Sequence, residues 1–292
     1  MPSRRNQGGA LRHRPTADRL IVVNGVPRGE VPATDRGLAY GDGVFRTFPA
    51  REGHGLHWRR HYAKLAHDCE ALGLAAPEAA LLERDVATAC GTRAECTVKI
   101  IVTRGAGRRG YAYERATPAT RVVIATDPAP YPAAYRDGGV SVRLCTLRLS
   151  HQRALAGVKH LNRLENVLAR AEWSDPEIAE GILCDAEDNA ICGTMTNLFI
   201  VSAGALATPS LDRCGVAGVT RDRVIEAAAR QGLACRVSAI PWSEVQRADE
   251  LFLVNSLAGA WPIRVLDGLA RVPGPITRAL QRALEQEDHA VA

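Results

Sequence analysis

Three prolines fall within the six residues Asp127-Pro-Ala-Pro-Tyr-Pro132, and the pair Gly138-Gly139 follows shortly after. Proline fixes φ and removes a backbone donor, so neither a helix interior nor an inner strand runs through such a stretch. The fold must be assembled from what flanks it, and both flanks carry mixed patterns. On the amino-terminal side, Leu20-Ile-Val-Val23 followed by Asn24-Gly25 reads as a strand entering a tight hairpin. Residues 58–74 place Tyr62, Leu65, Ala66, Cys69 and Leu72 at helical spacing and stop at Gly73, and an Ala-rich helix is expected over 77–89. Runs rich in β-branched residues at 97–103 and 121–125 suit strands. On the carboxy-terminal side, strands are expected near 140–147 and at 181–185, 198–201 and 251–254, with helices from Asn162 and over 220–231. Helices and strands on both sides of a proline-rich joint predict two α+β domains, at residues 19–127 and 140–292, joined by a linker over 128–139.

A chain of 292 residues with 46% hydrophobic and 24% charged residues is ordinary globular material, large enough to bury a cofactor site. It contains no run of the roughly 18 apolar residues that a membrane helix needs. Residues 1–18 are basic and lack an apolar core, so they read as a disordered tail rather than a signal peptide or anchor. The net charge of +5 is mild and no aromatics are interleaved in the tail, which argues against a nucleic-acid partner. The eight cysteines form no C-x-x-C pair and the histidines show no metal-ligand spacing. A cytoplasmic protein with reduced core thiols and no metal is expected.

Candidate chemistry centres on Lys159-His-Leu-Asn-Arg-Leu-Glu165. Lys159 is one of three lysines among 37 basic residues, and it lies between apolar neighbours. Leu164, Val167, Leu168 and Ala171 recur at helical spacing, with Asn162 as a possible cap. A helix amino end favours a neutral amine, which would make Lys159 a usable nucleophile. The segment Asp35-Arg-Gly-Leu-Ala-Tyr-Gly-Asp-Gly-Val-Phe45 reads either as backbone threading close to a ligand or as a surface turn, and it carries no nucleotide-binding pattern. Gly215-Val-Ala-Gly-Val-Thr-Arg221 runs from a glycine loop into a helix, whose free amides and Thr220 hydroxyl would seat a phosphate. Arg104, Arg108 and Arg109, in a glycine-rich loop, are either carboxylate clamps or solvated.

Taken in order with Asn197-Leu-Phe199 and Asn255-Ser-Leu257, these segments resemble the fold-type IV pyridoxal-phosphate enzymes. That class includes branched-chain and D-amino-acid aminotransferases, and the Lys-His-Leu-Asn-Arg-Leu-Glu run is nearest its aminodeoxychorismate lyase branch. The resemblance implies an α+β homodimer with a smaller amino-terminal and a larger carboxy-terminal domain, and pyridoxal 5′-phosphate between them. It makes Lys159 the covalent attachment point and catalytic residue. It assigns cofactor contacts to Lys64, Arg60, Cys192, Val219, Thr220 and Ser256, and substrate contacts to Arg104, Arg109 and Tyr111. Two departures stand out. The branch's phosphate-binding arginine falls here on Lys64, and its glutamate that pairs with the pyridine nitrogen falls on Cys192. A thiol cannot hold that nitrogen protonated, which weakens the cofactor as an electron acceptor and favours elimination of pyruvate over amino transfer. An aminotransferase of the same fold, or a non-catalytic cofactor-binding relative, is the alternative.

Overall fold

The computed structural model describes residues 20–114 and 117–291, so the basic segment read as a disordered tail lies outside the described residues. Strand β1 (Leu20–Val23) turns into β2 (Val26–Pro27) through Asn24 and Gly25, at φ of 51° and 85°. Two residues at positive φ match the twist that a two-residue hairpin requires. After the short helix α1 (Arg36–Tyr40) come β3 (Gly43–Arg51), β4 (His54–Gly55), α2 (Trp58–Ala71), α3 (Ala79–Cys90), β5 (Glu95–Thr103) and β6 (Thr120–Thr126). The six strands form one antiparallel sheet in the order β2-β1-β6-β5-β3-β4. Leu65 and Cys69 of α2 and Leu82, Val86 and Ala89 of α3 pack on Phe48, Val98, Ile100 and Val123. Along β3, Val44, Arg46, Phe48 and Ala50 are all buried, which puts one cation in an otherwise apolar row.

The proline-rich stretch holds α4 (Ala133–Asp137), and Tyr131 and Tyr135 meet the Trp261 ring edge-on at 4.8 and 5.2 Å. Beyond it run β7 (Val140–Leu149), α5 (Leu164–Arg170), β8 (Ile178–Asp185), β9 (Ala190–Gly193), β10 (Asn197–Ser202), β11 (Ala205–Pro209) and α6 (Val219–Arg230). The chain continues through β12 (Cys235–Ser238), α7 (Trp242–Arg247), β13 (Glu250–Asn255), β14 (Gly259–Leu266), β15 (Leu269–Ala270) and α8 (Pro275–Ala290). These strands form a mixed sheet ordered β12-β11-β10-β13-β14-β7-β8-β9, and β9 returns to pair with β10 at Cys192 and Asn197. Six strands thereby close into a ring, which leaves only the extension through β11 and β12, and β15, outside it. Helices α6 and α8 seal one side with Val224, Ala227, Leu280 and Leu284 against Phe199 and Phe252, whose rings stack at 5.0 Å. Among the described residues, no helix is long and apolar enough to cross a membrane.

Candidate active site

A cavity of about 920 Å³ is walled by residues of both sheets, and Lys159 stands in it. The lysine is carried on an extended segment rather than at a helix start. On one side, the Phe45 amide donates to the Lys159 carbonyl at 3.0 Å and the Leu161 amide to Gly43 at 2.9 Å. On the other side, the Gly157 amide donates to Gly215 at 3.1 Å and the Ala217 amide to Gly157 at 2.9 Å. The segment is stitched between β3 and the loop leading into α6, which fixes its backbone from both directions. The expected helix start at Asn162 is corrected: α5 begins at Leu164, and Asn162 donates its side-chain amide to the Gly41 carbonyl at 3.2 Å. Its apolar stripe is also not core, because Leu164, Val167 and Leu168 are exposed.

A helix dipole is therefore not what neutralises Lys159. Burial of the amine inside the cavity comes first, then the guanidiniums of Arg46 and Arg163, and together they push it down from the ordinary lysine value of 10.5 to about 7. The Lys159 Nζ lies 4.6 Å from the centre of the Phe45 ring. Asp68 of α2 accepts the Lys159 backbone N–H at 3.2 Å and a bond from Arg46 Nη2, tying the lysine's backbone to the buried arginine. His61, also on the cavity wall, is held neutral by burial and the Arg46 charge, which lower it to about 3.

The opposite wall comes from the closed ring. Glu180, fully buried, accepts from the amides of Gly181, Thr194 and Met195 at 3.0 Å each and from the Thr196 hydroxyl at 3.2 Å. One carboxylate thus braces the turn 193–196 that follows Cys192. Burial pushes the Cys192 thiol up to about 12, so it stays neutral. At the far end, α6 begins at Val219 with no side chain capping its first amides, and Thr220 Oγ1 lies 3.4 Å from Ser256 Oγ.

Lys159, Cys192, Val219, Thr220 and Ser256 all face this one cavity. Lys64 and Arg60 do not. They line a smaller cavity of about 230 Å³ beside Val219 and Asp222, Lys64 paired with Asp222 at 2.8 Å and Arg60 forked onto Glu226 at 2.7 and 2.6 Å. The expected substrate residues are also displaced from the wall. Arg104 is 5% exposed and spends its guanidinium on Asp42 (2.8 Å) and on the carbonyls of Gly73 (2.9 Å) and Leu72 (2.7 Å), with the Tyr113 ring 3.7 Å away. Arg109 is exposed, and Tyr111 is 85% exposed beside Tyr40, its carbonyl taken by Arg36 at 3.1 Å. The glycine–arginine loop is knitted to the Asp35–Asp42 turn through Arg36, Asp42 and Arg104. Sequence reasoning missed Arg46, His61, Asp68 and Glu180. The available signal for Arg46 was the alternation along β3, where a lone arginine interrupts Val44, Phe48 and Ala50.

A lysine stitched between an antiparallel sheet and the loop entering α6, on a cavity that a closed mixed sheet walls on the other side, defines a fold-type IV enzyme. The chain belongs to the amino-transferase class IV family, whose pattern matches residues 43–266. It is 34% identical over 245 residues to an aminodeoxychorismate lyase of Vibrio harveyi, covering 84% of this chain and 90% of that protein. It is 30% identical over 258 residues to a putative branched-chain-amino-acid aminotransferase of Methanocaldococcus jannaschii, with 86% and 89% covered. The crystal structure of 4-amino-4-deoxychorismate lyase from Pseudomonas aeruginosa matches with a TM-score of 0.88 at 41% identity, covering 91% of this chain and 98% of that one.

Proposed function

We propose that this chain is a pyridoxal 5′-phosphate-dependent lyase that converts 4-amino-4-deoxychorismate to 4-aminobenzoate and pyruvate, a step toward folate. The observation that carries the reading is Lys159, an amine poised near neutrality in a deep cavity, in a chain similar to two such lyases over more than four-fifths of its length. The residues suit the cofactor. Lys159 would supply the covalent attachment, the open amides of α6 with Thr220 and Ser256 would seat the phosphate, and Cys192 lines the same cavity, where the resemblance places the partner of the ring nitrogen.

Bound there, the cofactor weakens the C–H bond at the substrate's amine-bearing carbon. Lys159, whose free amine burial and the nearby guanidiniums hold well below the ordinary lysine value, would take that hydrogen as a proton. The enolpyruvyl C–O bond, one carbon away, then breaks as the ring becomes aromatic, and the released fragment takes a proton to give pyruvate. Cys192, neutral at all working pH values, cannot keep a ring nitrogen protonated as a carboxylate does. Amino transfer depends on that proton more than an elimination that ends in aromaticity, and this tilts the site toward the lyase. For the substrate's carboxylates, Arg163 replaces Arg104 and Arg109. It lines the cavity, anchored through Nε to the His160 carbonyl (2.9 Å) and through Nη2 to the Val158 carbonyl (3.1 Å), with no hydrogen bond from Nη1 among the described residues.

The exposed apolar side chains of α5, beside the cavity, support a homodimer. We place the enzyme in the cytoplasm, with domains at 19–127 and 140–292 joined by 128–139. The test is to supply aminodeoxychorismate and measure pyruvate and 4-aminobenzoate, in parallel with amino transfer to 2-oxoacids. Amino transfer without pyruvate release would replace the lyase with an aminotransferase.

A further inference from the structure

Resting on the reading that the cavity holds a phosphorylated cofactor, we propose that Arg46, rather than Lys64, is the side-chain cation that grips the phosphate. The resemblance placed that cation on α2, yet Lys64 is turned to Asp222 and faces the smaller cavity. Arg46 comes from β3, lines the large cavity and is 3% exposed. One nitrogen carries all of its hydrogen bonds: Nη2 donates to the Lys64 carbonyl at 3.3 Å and to Asp68. Nε is buried with no partner, and Nη1 makes no hydrogen bond among the described residues. A guanidinium offers five N–H donors in a planar fork suited to phosphate oxygens, and a buried donor left unmet is costly.

A second observation comes from α6. This helix is twelve residues long, Gly218 caps it without a side chain, and Val219 and Thr220 of its first turn line the same cavity as Arg46. Asp222, also in that turn, pairs with Lys64, whose backbone carbonyl accepts from Arg46, which links the guanidinium to the helix start. Open amides and the positive end of the helix dipole favour an anion at this point. The local charges leave room for one. Lys64 and Asp222 neutralise each other, and Asp68 balances Arg46 while holding it in place. A phosphate dianion would meet the unused N–H groups of the fork on one side and the helix amides on the other. The guanidinium would thus come from a strand, while Lys64 of the helix makes a structural ion pair.

The test titrates cofactor-free wild-type, Arg46→Met, Arg46→Met/Asp68→Asn and Lys64→Met proteins with pyridoxal 5′-phosphate and with pyridoxal, which lacks the phosphate. The double variant leaves no lone buried carboxylate and keeps the test alive if Arg46→Met misfolds. Both Arg46 variants are expected to bind the phosphorylated ligand about 10- to 100-fold more weakly, the range for hydrogen bonds to a charged group. Any change in Lys159 caused by losing Arg46 acts on both ligands alike, so pyridoxal binding in the Arg46 variants should fall at least about tenfold less than pyridoxal 5′-phosphate binding, and Lys64→Met should change neither ligand by more than about threefold. Equal losses for the two ligands in the Arg46 variants would give Arg46 a purely structural role and overturn the proposal. A phosphate-specific loss in Lys64→Met would overturn it equally. A wild-type protein that binds neither ligand would remove the cofactor reading itself.

Discussion

Replacing Lys159 with methionine should stabilise the cofactor-free protein, and by an amount that depends on pH. In the folded state the lysine loses its proton near pH 7, whereas in the unfolded chain it holds it to the ordinary value of 10.5. Between those values the unfolded state binds more protons, so wild-type stability rises with pH through this window. Below pH 7 the folded protein carries a charged amine in the cavity and the full penalty applies; above 10.5 it vanishes. At about 1.36 kcal/mol per pH unit, the span from 10.5 to about 7 sets a ceiling of about 5 kcal/mol. Water in the open cavity will lower the realised value. Methionine keeps the apolar stem and carries no charge, so Lys159→Met removes the penalty with little repacking. Urea denaturation of both proteins at a series of pH values reads the difference. Methionine should win by several kcal/mol at pH 6, and the gap should close by about 2–3 kcal/mol by pH 9. A gap independent of pH over that range, or a less stable variant at pH 6, would refute the claim that burial and nearby guanidiniums hold this amine neutral.

Lys159→Ala should lose the visible band of lysine-linked cofactor and nearly all pyruvate release; borohydride fixing the cofactor to another lysine would refute the assignment. Cys192→Glu should raise amino transfer per pyruvate released at matched cofactor occupancy, because a carboxylate there holds the ring nitrogen protonated. An equal or lower ratio would remove the mechanistic reason for preferring elimination. Arg104→Ala should destabilise the fold by about 3 kcal/mol, since Asp42 and the carbonyls of Leu72 and Gly73 lose their donor. Its KM for aminodeoxychorismate should stay within about twofold, and a large KM increase at unchanged stability would return Arg104 to the substrate.

Much of the scaffold was legible because it rests on local chemistry. Asn24-Gly25 specifies its turn through two positive φ angles, the 58–74 periodicity gives α2 up to the Gly73 stop, and Gly215–Arg221 announces a loop opening onto an uncapped helix. The lysine was found for a similar reason, as a rare residue in a distinctive run. Its neutrality was predicted for a cause that the fold does not supply. The amine owes its low affinity for protons to Arg46 and Arg163 and to a cavity wall built from two sheets, and Arg46 lies 113 positions away along the chain. Pairing was also beyond local reading. Lys64, Arg60 and Arg104 have the right residue types for anion binding, yet Asp222, Glu226 and Asp42 had already claimed them. Which cations remain available to a ligand is decided by how many of their N–H groups the folded carboxylates and carbonyls leave unmet, and Coulomb energy falls with distance through space, not along the sequence. By itself the sequence determined many of the elements, though not β3, β14 or α8, together with the first hairpin and the distinctive lysine; the tertiary structure decided that Arg46 and Arg163, and not the arginines of the glycine loop, stand beside that lysine.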